Sequence, residues 1–226
     1  MKKLALLLVV LFPLAACAQS TPEGEQNTAE RNKMLYSLGF LLGDNLQREL
    51  ILDNEDDYKA LSQGMRDSLL GKKAQTDVEQ YKPQIAQKYR ADAQKIAAKR
   101  EAQQKEFLEN FQKEKGVKVL DNGAMIKLSK PGKGKNPKAD SKVTVHYTGT
   151  LLDGTKFDSS RDRNEPFQTK LTQVIPCWTK AMQQMKPGAR AQVVCPADTA
   201  YGNRPVGPIP PNSVLMFDVE MLSLDD

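Results

Sequence analysis

From Gln84 to Lys115 the chain runs for thirty-two residues without a Gly or a Pro, and Ala, Gln, Glu and Lys dominate the stretch. Such residues lose little side-chain freedom in a helix, and a helix of that length extends roughly 48 Å. A rod this long cannot fold back into one small core, so it divides the chain into parts that are read separately. Along it, Ile85, Tyr89, Ala93, Ile96 and Ala97 form one apolar stripe, and Phe107, Leu108 and Phe111 form another. Between the stripes, Lys99-Arg-Glu-Ala-Gln-Gln-Lys-Glu106 is polar on every side. That pattern predicts a solvent-bridging linking helix over 84–115. Continuous apolar heptads are missing, which excludes a coiled coil.

Ahead of the rod, Met34, Leu35, Leu38, Leu41, Leu42 and Leu46 recur at three- and four-residue spacing from about Glu30, the mark of a helix. Gly39 and Gly43 stand four apart, which would let another helix approach closely, or they are a tolerated pair in a Leu-rich helix. Leu52-Asp-Asn54 breaks this helix. A second, carrying Tyr58, Leu61, Met65, Leu69 and Leu70, ends at Gly71. Thr76 reads as the N-cap of the third, with Glu79 completing a capping box, and Pro83 is expected to kink its start. Two short helices and half a long one make a thin core. Residues 30–83 are therefore expected to be a dimerisation domain whose Leu-rich faces a second copy covers; the alternative is a lone three-helix subdomain.

The N-terminus reads as an export signal. Met1-Lys-Lys3 is a positive n-region, and the apolar run Leu4 to Phe12 is too short to span a bilayer. Leu14-Ala-Ala-Cys17 resembles a bacterial lipobox, which implies a signal peptide over 1–16 and lipid on the Cys17 thiol. Ala16-Cys-Ala18 also fits ordinary cleavage after Ala18. Both readings export the protein, with a periplasmic and outer-membrane location expected for the lipidated form. Ala18 to Thr28 is polar and aperiodic, so 17–29 is expected to be a flexible tether.

Net charge is +5, of which Lys2 and Lys3 belong to the leader. So small an excess, mixed evenly with acid, does not point to nucleic acid, and the membrane is reached only through a lipidated Cys17. The run Lys130-Pro-Gly-Lys-Gly-Lys135 reads as a solvated loop. With Cys17 set aside, Cys177 and Cys195 are either an even pair in an oxidising compartment or two separate buried thiols. His146 is the only His, so neither a metal nor another cofactor is expected.

After Gly116 the pattern changes to strands. Val117 to Leu120 and Ala124 to Leu128 flank an Asp121-Asn-Gly123 turn, and Lys142 to Leu152 alternates cleanly before the hairpin signal Asp153-Gly154. Further strands are expected at 156–158, 167–170, 189–195 and 214–222, with one helix from Trp178 to Met185. The fold class is α+β: an N-terminal all-α domain, a long stalk helix and an antiparallel sheet wrapped around one short helix over 116–226. No Ser-His-Asp or Cys-His set is available for nucleophilic catalysis.

The same region gathers Val143-Thr-Val-His-Tyr-Thr-Gly149, Asp153-Gly-Thr-Lys-Phe-Asp-Ser-Ser160, Val174-Ile-Pro-Cys-Trp178, Tyr201-Gly202 and Ile209-Pro-Pro-Asn-Ser213. Aromatic residues are 6% of the chain, so this concentration reads as a pocket lining. In order and spacing these motifs resemble FKBP-type peptidyl-prolyl cis–trans isomerases over about Asp121 to Leu222. The tether, helices and stalk are similar in layout to the Mip/FkpA subgroup of exported bacterial homodimers.

The resemblance implies catalysis of X–Pro isomerisation in exported proteins, with Tyr147, Asp158, Trp178 and Tyr201 as catalytic residues and Phe157, Phe167, Val174, Ile175, Ile209 and Phe217 as the substrate wall. Trp178 would be the floor. The Ile175 N–H and the Tyr201 hydroxyl would bond the peptide, and Arg163 could pair with Asp158. Unfolded or proline-containing exported proteins are the implied partners, and macrolides of the rapamycin class the implied inhibitors. The chain departs from the family at Cys177, often Gly before the pocket Trp, at Cys195, usually aliphatic, and in the short loop 202–208, which lacks a common His. The joint appearance of the two cysteines at the pocket helix favours a Cys177–Cys195 bond, if their Cα atoms lie within about 7 Å. A dimeric holdase chaperone and a surface virulence factor, each with isomerisation secondary, are the competing functions.

Overall fold

The computed structural model describes residues 22–225. The 1–16 leader, Cys17 and the cleavage site after Ala18 lie outside the described residues. Three helices come first: α1 (Pro22–Gln47), α2 (Glu55–Leu69) and α3 (Val78–Phe111). Helix α1 begins inside the segment expected to be a flexible tether, which corrects the 17–29 boundary from residue 22 on. Pro tolerates the first helical position because its missing N–H has no partner there anyway. From Glu25 to Leu35, moreover, the sequence holds only residues that cost a helix less than about 1 kcal/mol each.

Asn54 caps α2, its side-chain oxygen accepting from the Asp56 and Asp57 N–H groups, and Gly71 follows the helix at φ 67°. Asp77, not Thr76, caps α3: its carboxylate accepts from the Glu79 N–H at 3.1 Å. Asp one residue nearer the helix has the same capping chemistry and wins the position. Pro83 sits inside a helix that the structure continues through it.

The chain divides into two compact units after Ala93, inside α3. In the helical unit, among the described residues, the only buried side chains are two acids, Asp67 and Asp92. Asp67 accepts from Gln63 (2.9 Å), Lys72 (3.0 Å) and Gln75 (2.7 Å). Asp92 accepts from the Ile51 N–H and from Lys88. Many of the large apolar residues face outward: Leu38 is 51% exposed, Phe40 66% and Leu41 60%, while Leu46, Leu50, Leu52 and Leu61 are half-buried.

The second unit holds β1 (Val117–Val119), β2 (Met125–Lys130), β3 (Lys142–Thr150), β4 (Lys156–Ser159), β5 (Phe167–Lys170), α4 (Pro176–Met182), β6 (Arg190–Cys195) and β7 (Leu215–Leu224). All pairings are antiparallel, in the order β1-β2-β6-β7-β3-β4, with β5 on β3. Strand β3 pairs along its length with β7; its other edge takes β5 at Lys142–Val145 and β4 at Thr148–Thr150. Val143, Val145, Tyr147 and Gly149 are buried, and the residues between them half-buried, as the alternation predicts. Helix α4 starts two residues earlier than expected because Pro176 fits its first turn. It packs Cys177, Trp178, Ala181 and Met182 into a core with Val145, Val193, Leu215 and Val219.

A second apolar cluster joins Phe111, with Phe107 and Leu108 beside it, to Met125, Val194 and Val214. The polar stretch of α3 is not solvated throughout. Gln104 is buried, its Nε2 donating to the Asn212 carbonyl at 3.0 Å and its Oε1 accepting from the Val214 N–H. Periodicity marks apolar contacts and is blind to a side chain buried for its hydrogen bonds.

Candidate active site

Between α4 and the strands lies a cavity of about 500 Å³. Its wall includes all ten residues expected from the sequence: Tyr147, Phe157, Asp158, Phe167, Val174, Ile175, Trp178, Tyr201, Ile209 and Phe217. Gln173, Val206, Gly207 and Pro208 line it as well. Sequence reasoning left these four out, although 206–208 belong to the short loop already singled out. Tyr147 reaches the cavity because the period of β3 turns it inward. Phe217 stands two strands from Phe157 yet packs against it, because Thr148–Thr150 pair with both β4 and β7.

Trp178 is 4% exposed and sits amid three rings met edge to face. Its centroid lies 5.1 Å from Tyr147, 5.2 Å from Phe217 and 6.3 Å from Phe167. Phe157 meets Phe217 at 5.6 Å and 87°. Edge-to-face pairs add about 0.5–1.5 kcal/mol each beyond burial, so the rings hold one another in place around an apolar bowl. The indole N–H is buried with no hydrogen-bond acceptor among the described residues. Ring packing therefore holds Trp178 in place. Gly149 is required beneath the bowl, because a Cβ there would stand 2.6 Å from the Phe157 ring and 3.0 Å from Phe217.

One side of the bowl is charged. The Tyr147 hydroxyl donates to one oxygen of Asp158, Arg163 Nη1 donates to the other, and Arg163 Nη2 donates to the Tyr147 hydroxyl at 3.2 Å. Burial pushes the Asp158 carboxyl up, but the Tyr147 and Arg163 hydrogen bonds outweigh it and hold the group below the ordinary carboxylate value. Burial, reinforced by the adjacent carboxylate, raises the Tyr147 phenol, so it stays protonated. The hydrogen bond to Asp158 raises Arg163 in turn, so the guanidinium is permanently charged.

Elsewhere on the wall two donors are unused. Among the described residues, neither the Ile175 N–H nor the Tyr201 hydroxyl has a hydrogen-bond partner, and both residues line the cavity. The Ile175 carbonyl, by contrast, starts α4 by accepting from the Trp178 N–H at 2.9 Å. His146 points to the other face of β3, where Nδ1 meets the Ser160 hydroxyl at 3.1 Å. The sulfurs of Cys177 and Cys195 are bonded, with Cα atoms 5.6 Å apart, so the residue before Trp178 is tied to the last residue of β6.

Such a bowl, with its one carboxylate engaged by Tyr147 and Arg163 and two free donors, suits a small apolar ring attached to an amide. Similarity to known proteins identifies the family. Residues 133–222 match the model for the FKBP-type peptidyl-prolyl cis-trans isomerase domain, and 31–126 match the domain amino-terminal to it. The chain is 41% identical to FKBP-type peptidyl-prolyl cis-trans isomerase FkpA of Aeromonas hydrophila over 84% of this chain and 73% of that protein. It is 35% identical to "Outer membrane protein MIP" of Legionella longbeachae over 98% of both. Among solved structures, FkpA from Escherichia coli is similar with a TM-score of 0.59 at 34% identity, over 92% of this chain and 99% of the other. The chain belongs to the FKBP-type peptidyl-prolyl cis–trans isomerase family, and it is an enzyme of that class.

Proposed function

We propose that the aromatic bowl is the site of X–Pro isomerisation and that the protein uses it to assist the folding of exported proteins. The observation that carries this reading is the pairing of a buried aromatic floor, Trp178, with two unused donors on the cavity wall, Ile175 N–H and Tyr201 Oη. Rotation about the prolyl bond faces a barrier of about 18–20 kcal/mol, because amide resonance is lost as the bond twists. The planar amide is the more dipolar form, so an apolar pocket favours the twisted one relative to water. Fixed donors then hold the carbonyl as it turns, which is selective binding of the transition state without covalent chemistry. In this scheme the proline ring stands on Trp178 between Tyr147, Phe167 and Phe217, with Phe157, Val174 and Ile209 closing the walls. Asp158, pinned by Tyr147 and Arg163, keeps the charged edge in place.

The wider reading has a helical unit that pairs with a second copy through α1, a leader that exports the chain, and lipid on Cys17 that holds it at the membrane. Outward-facing Leu38, Leu41 and Leu42 over a unit with two buried acids support the dimer. The name of the Legionella relative supports an outer-membrane address. Rapamycin-class macrolides are the expected inhibitors, and holding unfolded chains is a second activity of the dimer.

The test is isomerisation of an X–Pro peptide by the full mature chain beside Asp158→Ala and Tyr201→Phe. The reading requires activity in the wild type that falls in both variants. Activity unchanged in both removes the bowl as the reaction site.

A further inference from the structure

The rim of the bowl is held from behind by the helix that carries Gln104. The carboxamide of this residue spans two peptide groups of the 210–214 loop, giving a proton to the Asn212 carbonyl at 3.0 Å and taking one from the Val214 N–H. The Asn212 N–H in turn donates to the Gly202 carbonyl at 2.8 Å. Gly202 follows Tyr201, so three bonded steps lead from α3 to a hydroxyl on the cavity wall. On the other side of the loop, Ile209 is three residues from Asn212 and is fixed to Val206 by paired backbone bonds of 2.9 and 3.1 Å. Both Ile209 and Val206 line the cavity.

Asn212 stands at φ 55°, a left-handed conformation that Asn tolerates better than most residues other than Gly. Its N–H and C=O are engaged on opposite sides, by Gly202 and by Gln104. Val214 is buried, and Gln104 is the acceptor of its N–H. A side chain with a donor and an acceptor in one plane serves both peptide groups: Glu in its ionised form lacks the donor, and Met has no donor and only a weak acceptor. Gln104 is thus a polar residue buried for two bonds, both to the loop that frames the pocket.

We infer that Gln104 is a positioning residue for isomerisation: through the 212–214 peptides it sets where Tyr201 and Ile209 stand around the proline. The inference rests on the reading of the bowl as the prolyl site. It makes the part of α3 after Ala93 a working piece of the catalytic unit, which agrees with the division of the chain at that residue. Arg100, whose Nη2 lies 3.5 Å from the Pro211 carbonyl, adds a weaker tie one turn earlier.

The experiment uses the full mature chain with Gln104→Met and Gln104→Glu, assayed on an X–Pro peptide across pH. Gln104→Met keeps the size and loses both bonds; kcat/KM should fall about tenfold, mostly through a higher KM, because the displaced rim binds substrate rather than forming the floor. Emission of Trp178, the only Trp, should stay as in the wild type without substrate. Gln104→Glu should be impaired at neutral pH and recover as the pH falls, because the protonated acid regains a donor. Burial raises the pKa of such an acid, so recovery precedes any loss at Asp158. A recovering profile in Gln104→Glu alone is not what a generally loosened fold would give. Wild-type kcat/KM in Gln104→Met, or a Gln104→Glu profile parallel to the wild type, overturns the inference. If Tyr201→Phe and Asp158→Ala are also fully active, the prolyl-site reading fails with it; if only they are impaired, the role of Gln104 alone fails.

Discussion

The Cα atoms of Cys177 and Cys195 stand 5.6 Å apart and their side chains are bonded, so the first turn of α4, with Trp178 on it, is anchored to the end of β6. Both cysteines are fully buried. The bond closes an 18-residue separation, for which loop entropy gives about 3 kcal/mol of stability. Replacing both cysteines with Ala should lower the stability of the β unit by about 2–4 kcal/mol. Urea unfolding followed by Trp178 fluorescence reads that unit alone, which matters in a chain of two units. An unchanged midpoint would remove the bond from the account of how the floor is held.

Asp158 gives the pH dependence its sign. Its folded-state pKa lies below the ordinary value of 3.8, since the bonds from Tyr147 and Arg163 outweigh the effect of burial. The stability it contributes is complete above that ordinary value and is lost as pH falls through the lowered one. Isomerase activity should therefore be level from neutral pH down to about 5, well above the carboxylate range. Asp158→Asn, which cannot ionise, should abolish the acid limb and lower activity at every pH. A wild-type profile already falling between pH 7 and 5 would assign control to another group.

Gly149 is the tightest point beneath the pocket. Gly149→Ala would force Phe157 and Phe217 to move, since its Cβ would fall 2.6 Å from the Phe157 ring. Overpacking of this kind costs about 1–3 kcal/mol, and here the displaced rings are pocket walls. A lower melting temperature together with a higher KM is expected; a variant with unaltered KM would show that the bowl tolerates movement of those rings.

How legible was this molecule in its sequence? Strand β3 was plain because its buried and half-buried residues alternate without a break, and Asp153-Gly154 fixed the turn after it: Gly154 takes φ 85° and Asp153 caps the Thr155 N–H at 2.8 Å. All ten residues that the family resemblance assigns to the pocket line one cavity; the resemblance, not local periodicity, named them. Gln104 was hidden, since its partners are backbone groups more than a hundred residues away and no local pattern records them. Thr76 was misread because Asp77 beside it has the same capping chemistry. The start of α1 at Pro22 was missed because a polar, aperiodic segment looks the same whether coiled or helical when no core face is needed.

The helical unit yields a prediction about assembly. Leu38 and Leu42 are 51% and 48% exposed on α1, and a Cβ at Gly39 or Gly43 would meet nothing within 4 Å. Leu38→Glu with Leu42→Glu should convert a dimer to a monomer in sedimentation analysis, while kcat/KM on a short X–Pro peptide changes less than about twofold, since these residues belong to the other unit. A wild-type chain that is monomeric at micromolar concentration would contradict the dimer.

The most direct measurement of the central claim pairs two readings on one sample: Trp178 fluorescence and X–Pro isomerisation, both followed while a rapamycin-class macrolide is titrated into the full mature protein. The only Trp lies in the bowl, so its emission reports occupancy there. The account predicts that emission changes and activity falls together along one binding curve, and that Tyr201→Phe weakens both equally. A fluorescence change that saturates while isomerisation continues would place the reaction outside the bowl.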